Sequence, residues 1–184
     1  MNLRSRLRSL ILPIDAIDYS LPNRGKIIEL GCGEGVICEY LALKRNRQVV
    51  GIDKSKKRIP KSYRKNLKFI RGDITKLNMP KADAYVISDV LHHIDIKNQK
   101  NILKNIYLSL KFGGILIIKE IDSKEFIRSR LSRLWDLLIY PKDRIYYWKS
   151  DDLVKFLKHM EFKVKVTRAS RFFPGSTTLF ICKK

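Results

Sequence analysis

No stretch of the 184-residue chain is apolar for long enough to cross a bilayer; its densest runs, such as residues 115–118, break within a few positions. The apolar stretch at 10–12 is too short for a signal peptide, and no small-residue cleavage site follows, so a cytoplasmic location is expected. Cysteine is scarce. Cys32, Cys38 and Cys182 are odd in number and lack metal-ligand spacing, which fits a reducing compartment and a protein without a cysteine-held metal. There is no Gly-Lys-Ser or Gly-Lys-Thr phosphate loop, which argues against a nucleotide triphosphatase. A Gly-x-Gly-x-x-Gly dinucleotide fingerprint is missing as well. Acidic residues are also in short supply, 18 against 39 lysines and arginines, for a net charge of +21.

What is present describes a folded chain. An apolar content of 45% excludes global disorder, and the length allows one hydrophobic core. A charge of +21 on so small a domain draws anionic partners, whether nucleic acid, an anionic bilayer or an anionic substrate. The basic residues are spread along the chain instead of forming a tail, so solvation of its faces accounts for them equally well. Oligomeric state is not set by anything in the sequence.

The chain reads as one domain over residues 1–184, with a basic amphipathic helix or cap at 1–22 and a basic aromatic insertion or lid at 121–149. In the first segment Leu3, Leu7, Leu10 and Ile11 recur at helical spacing among Arg4, Arg6 and Arg8, and Pro13 stops or kinks the helix. From Lys26 onward short apolar strands alternate with helices. Strands are expected at 26–30, 48–52, 67–71, 82–88 and 114–119, and helices at 35–45, around 54–60 and at 99–110. That alternation predicts an α/β fold with a parallel sheet. The tail then gives helices at 122–138 and 150–159, the second with Ser150 as N-cap, and strands at 162–167 and 177–182.

The first strand runs into Glu29-Leu30-Gly31-Cys32-Gly33-Glu34-Gly35. Alternate glycines let a strand turn tightly into a helix and bring backbone close to a ligand. Asp53 follows the second strand, where a carboxylate can accept from two ribose hydroxyls, and Asp73 closes the third. Glu29 and Glu34 stand where a pyrophosphate would sit, so a cationic or neutral nucleoside suits the loop better. Asp89, His92 and His93 follow the fourth strand and share the same crevice; a histidine suits removal of a proton from an acceptor.

With Gly51-Ile52-Asp53, Gly72-Asp73-Ile74, Asp89-Val90-Leu91-His92-His93 and Leu110-Lys111-Phe112-Gly113-Gly114, the ordered set resembles a class I S-adenosylmethionine-dependent methyltransferase over residues 27–120. The resemblance implies a Rossmann-like fold: a mostly parallel seven-stranded sheet with an antiparallel C-terminal strand and helices on both faces. It implies S-adenosyl-L-methionine as cofactor and S-adenosyl-L-homocysteine as product. Carried over with the motifs, the cofactor set is Glu29, Gly31, Cys32, Gly33, Gly35, Asp53, Lys54, Asp73, Ile74 and Asp89; the catalytic set, read from the residues themselves, is His93 as the best candidate base, His92, which reads first as a structural histidine, and Asp89 at the pocket edge, with no metal. The Asp-Val-Leu-His-His segment resembles the small-molecule and lipid branch; the Pro-Pro segment of base-amine methylating relatives is absent.

The insertion holds both tryptophans, Trp135 and Trp148, with Tyr140, Tyr146, Tyr147 and a run of arginines from Arg128 to Arg133. It reads either as core contact or as a substrate lid with a side facing an anionic membrane. The leading expectation is O- or C-methylation of a small-molecule or lipid acceptor, with peripheral membrane contact. An RNA or protein methyltransferase held by the basic surface is the second reading, with nucleic acid ranked below lipid as partner, and a noncatalytic cofactor-binding protein is the third.

Overall fold

The computed structural model describes residues 13–62, 64–121, 146–168 and 177–184. Strands β1 (Gly25–Leu30), β2 (Arg47–Asp53), β3 (Leu67–Arg71), β4 (Ala82–Ser88), β5 (Leu110–Ile121), β6 (Lys163–Arg168) and β7 (Thr177–Lys183) form one seven-stranded sheet in the order β3-β2-β1-β4-β5-β7-β6. Pairings among β1 to β5 are parallel, while β7 runs antiparallel to both β5 and β6. The expected fold class is the observed one.

Side-chain alternation along each strand explains why the sheet is covered twice. Ile28, Leu30, Tyr85, Ile87, Leu116, Ile118 and Phe180 join one core, whereas Ile27, Ala84, Val86, Ile117 and Leu179 join the other. With a period of two, neighbours in sequence must face opposite layers. The first core is closed by α3 (Ile96–Ser109) and α4 (Ser150–His159), through Ile102, Leu103, Ile106, Leu153 and Leu157. Each such side chain contributes about 1.5–3 kcal/mol by leaving water. The second core is closed by α1 (Ile14–Tyr19) and α2 (Val36–Leu41).

Helix α1 is fastened by a cation. Arg47, with no exposed surface, pairs with Asp18, donates from Nε to the Pro22 carbonyl at 2.8 Å, and so ties the N-terminal helix to the start of β2. At the outer edge, β6 is exposed except for Val164, and Lys163, Lys165 and Arg168 stand along it. Among the described residues no helix is long and apolar enough to cross a membrane.

Several local expectations are corrected. Residues 54–60 form turns, not a helix, because Lys54, Lys56, Lys57 and Arg58 offer no apolar face to bury. Helix α2 ends at Leu41 instead of running to 45, and Leu43 is exposed. Ser150 is the first residue of α4; Lys149 precedes it without a side-chain cap. Helix α3 begins at Ile96, where Asp95 accepts from the Asn98 N–H, and α1 begins directly after Pro13, which stands at its N-cap. The part of the expected amphipathic segment before Pro13 and the helix expected at 122–138 lie outside the described residues.

Candidate active site

A crevice opens at the C-terminal ends of β1 and β4, on either side of the point where strand order reverses, as expected for an open α/β sheet. One side is built on the glycine loop. Gly31, Gly33 and Gly35 all have positive φ, and the Gly31 and Cys32 N–H groups hang from the Ile52 carbonyl at 2.7 and 3.1 Å. Asp53, at the end of β2, accepts the Gly33 N–H at 2.9 Å and the Ser55 N–H at 2.8 Å. Its carboxylate therefore shapes the loop while retaining acceptor capacity for hydroxyls.

Glu29 has a different task from the one its position suggests. It is buried, and its Oε2 accepts the Cys38 N–H at 3.0 Å and the Cys38 Sγ–H at 2.8 Å. Gly35 precedes α2 without a side chain to cap it, so Glu29 supplies the missing acceptor from the strand. Burial first, and the neighbouring Cys32 and Glu29 next, push the Cys38 thiol well above its ordinary pKa.

Asp73 lies exposed at the end of β3; the Thr75 hydroxyl at 2.7 Å and the Thr75 N–H at 3.0 Å hold its carboxyl below the usual range. Lys54 is exposed and adds its field to the same carboxylate, and Ile74 is buried beside it. Carboxylates at two strand ends, a glycine-rich turn and an apolar Ile74 form a donor set that fits a nucleoside-bearing cofactor: acceptors for hydroxyls and an apolar seat for a base.

The other side of the crevice is built by residues 89–93. Asp89 has φ 56°, a left-handed conformation costing a non-glycine residue about 1–2 kcal/mol. Both carboxylate oxygens of Asp89 bind the buried Lys119 ammonium, at 2.6 and 2.5 Å, and its N–H donates to the Lys119 carbonyl at 3.0 Å, so the strained turn is held from β5. Glu120 then receives the Leu91 N–H at 2.9 Å, the Val90 N–H at 3.2 Å and His92 Nδ1 at 2.7 Å. A carboxylate already accepting two N–H groups makes Nδ1 the protonated nitrogen and Nε2 the basic one.

His92 is buried and lines a small cleft, together with Leu91, Glu120, Tyr147, Trp148 and Phe180. His93 is half-buried beside it, with ring centroids 4.2 Å apart. The cleft is roofed by residues 146–148: the Tyr146 N–H donates to the His92 carbonyl at 2.8 Å, Gln99 Nε2 donates to the Tyr146 carbonyl at 3.0 Å, and Trp148 Nε1 donates to Gln99 Oε1. The described end of the aromatic insertion thus packs on the core through Trp148 and lines the cleft. Its arginine-rich part lies outside the described residues.

Sequence reasoning brought together Glu29, the glycine loop, Asp53, Asp73, Asp89 and both histidines, and the structure gathers them at one sheet edge. The carboxylate of Glu120, leaving the fifth strand, is legible in the sequence as facing the acceptor pocket; the Lys119 clamp, the pairing of Glu120 with His92 and the anchoring role of Gln99 are not. The adjacency of β4 and β5 carried the signal for the first two; for Gln99, a buried polar residue on an amphipathic helix, there was none.

The family described as a methyltransferase domain matches residues 22–150. The chain is 30% identical over 119 residues to the carboxy-S-adenosyl-L-methionine synthase of Nautilia profundicola, covering 61% of this chain and 51% of that protein. It is 27% identical over 115 residues to the acetylserotonin O-methyltransferase of Gallus gallus, covering 58% of this chain and 33% of that one. The chain spans about half the length, or less, of these curated relatives. Among solved structures, it is similar to magnesium protoporphyrin IX methyltransferase from Synechocystis PCC 6803 with bound SAH, at 21% identity and TM-score 0.74 over 93% of this chain and 81% of that one. Human N-acetylserotonin methyltransferase in complex with SAM gives 18% identity and TM-score 0.73 over 94% and 52%. At such identities the likeness establishes the fold.

Proposed function

The chain belongs to the methyltransferase-domain family, and from that premise we propose that it moves a methyl group from S-adenosylmethionine to an oxygen or carbon atom of a small or lipid-like acceptor. The observation that carries this reading is the contact between the two sides of the crevice. A Cβ on Gly31 would lie 2.3 Å from Val90 Cγ2, so the glycine loop and the His92 turn are packed against each other. A cofactor on the first side would meet an acceptor on the second.

Gly31, Gly33, Asp53, Asp73 and Ile74 would hold S-adenosylmethionine, which supplies a methyl group made electrophilic by its sulfonium centre. When bound it would give up that methyl group with its carbon–sulfur bond breaking to leave S-adenosyl-L-homocysteine; His92 would take the acceptor proton on Nε2, and Glu120 would orient the ring and stabilise the resulting imidazolium. Glu120 fixes His92 and not His93, so His92 is the preferred base. Asp89, fully engaged by Lys119, positions the turn. The carboxy-S-adenosyl-L-methionine synthase relatives raise a product of the cofactor itself as a second reading; among the described residues, the Lys119 ammonium at the end of β5 is bound by both oxygens of Asp89.

The test is calorimetric titration with S-adenosylmethionine followed by an acceptor screen that includes small phenols, lipid extracts, RNA and protein. Binding is expected in the wild type and lost in Asp53→Ala. His92→Gln should keep cofactor affinity and lower turnover by about 10²–10⁴-fold, whereas His93→Ala keeps most of it. Cofactor binding with turnover only on RNA or protein would replace the acceptor assignment. Binding with no turnover on any class would make the chain a noncatalytic cofactor-binding protein.

A further inference from the structure

Parallel strands start together, and the edge at which these begin carries a feature that the cleft does not use. Leu110 pairs with Ala82 and Ile115 with Ala84, so residues 111–114 of β5 are extruded opposite a single residue of β4. The loop is tight: a Cβ on Gly114 would sit 2.8 Å from the Lys111 carbonyl, while Gly113, at φ 72°, faces open space. Its geometry leaves Phe112 99% exposed, and Leu108 in the last turn of α3 is 74% exposed. Neither residue supports a core. Holding two large apolar side chains in water forgoes the stabilisation that burial would give.

Cations frame the pair. Lys111 flanks Phe112, Lys81 precedes the start of β4 at the base of the loop, and Lys183 and Lys163 face one another in register across β7 and β6, with Lys183 also opposite Ile115. All four are exposed. The neighbouring acids are already engaged: Asp83 accepts from Lys111 at 2.8 Å and from the Lys26 N–H at 2.7 Å, and Glu161 accepts from the Tyr107 hydroxyl at 3.2 Å.

We propose that this edge docks on an anionic lipid bilayer, with Phe112 and Leu108 entering the interfacial zone and the lysines meeting the headgroups. A single projecting aromatic beside an aliphatic tip suits acyl chains. Nucleic acid would call for a groove with successive stacking rings. The proposal does not depend on methyl transfer, because the surface lies at the opposite end of the strands from the cleft.

Sedimentation of the full chain with phosphatidylcholine vesicles, with and without phosphatidylglycerol, tests it. Binding is expected only with phosphatidylglycerol and should weaken with salt. The Phe112→Ser/Leu108→Ser double variant should partition about tenfold less at an unchanged thermal midpoint, since both positions are exposed. Phe112→Trp should keep the wild-type partition. Equal pelleting of wild type and double variant would place binding elsewhere in the chain and overturn the proposal. So would no pelleting at all, or RNA binding through Phe112 in place of vesicle binding.

Discussion

Gly31 is the residue on which both halves of the crevice depend. Its φ of 73° and the 2.3 Å approach to Val90 leave no room for a side chain. Gly31→Ala should lower stability by more than about 1 kcal/mol, and cofactor affinity should fall with it, because the loop must move away from the His92 turn. Denaturant titration and calorimetry on the same variant check both outcomes. An affinity loss without a stability loss would mean that Val90 yields and the loop alone is damaged. The glycines, Asp53 and Asp73 were legible in the sequence because backbone freedom and acidic strand ends follow from residue type and spacing. Glu29 was legible as an important acid but not as a helix cap. That role arises from Gly35, six residues on, having no acceptor to offer Cys38.

At the level of elements, all seven strands were readable: the central ones are short continuous apolar runs that a sheet covered on both faces requires, and β6 alternates lysine and valine at an exposed edge. Helix ends were less so. The segment 54–60 has helix-favouring lysines, yet local propensity without a face to bury does not make a helix. Asp95 shows the converse: a cap four residues ahead of the expected start at 99 begins α3 three residues earlier. Its carboxyl is held below the usual range by the Asn98 N–H first and the Asn98 side chain next. A depressed folded-state pKa adds stability above the ordinary carboxylate range, and that stability is lost as pH falls through the folded value. Asp95→Ala should therefore lower the thermal midpoint by about 2–4 °C at neutral pH, with the gap to wild type closing in acid. A gap that stays constant down to the acid limit would show that the cap is not electrostatic.

The whole molecule is two cores sharing one sheet, and a buried cysteine reports on each. Cys38 belongs to the α1–α2 side, and Cys182, its thiol pushed by burial up to about 12, to the α3–α4 side. Both thiols stay protonated and covered at neutral pH, so neither attacks an alkylating reagent in the native state. If the layers unfold together, the two should be labelled at one rate that tracks global unfolding, read by peptide mass mapping across a denaturant series. Labelling of Cys38 well before Cys182 would show that the α1–α2 layer opens alone.

The shared sheet also sets a stand-off distance. From Ile115 to Glu120 strand β5 runs six residues, about 20 Å at ~3.3 Å per residue, and it has the Phe112 loop at one end and the His92 partner at the other. A molecule resting on its Phe112 end holds the cleft that far above the headgroups, facing the water. Acceptors would then arrive from the aqueous side, and a lipid still seated in the same leaflet would have to be lifted clear of it to be methylated.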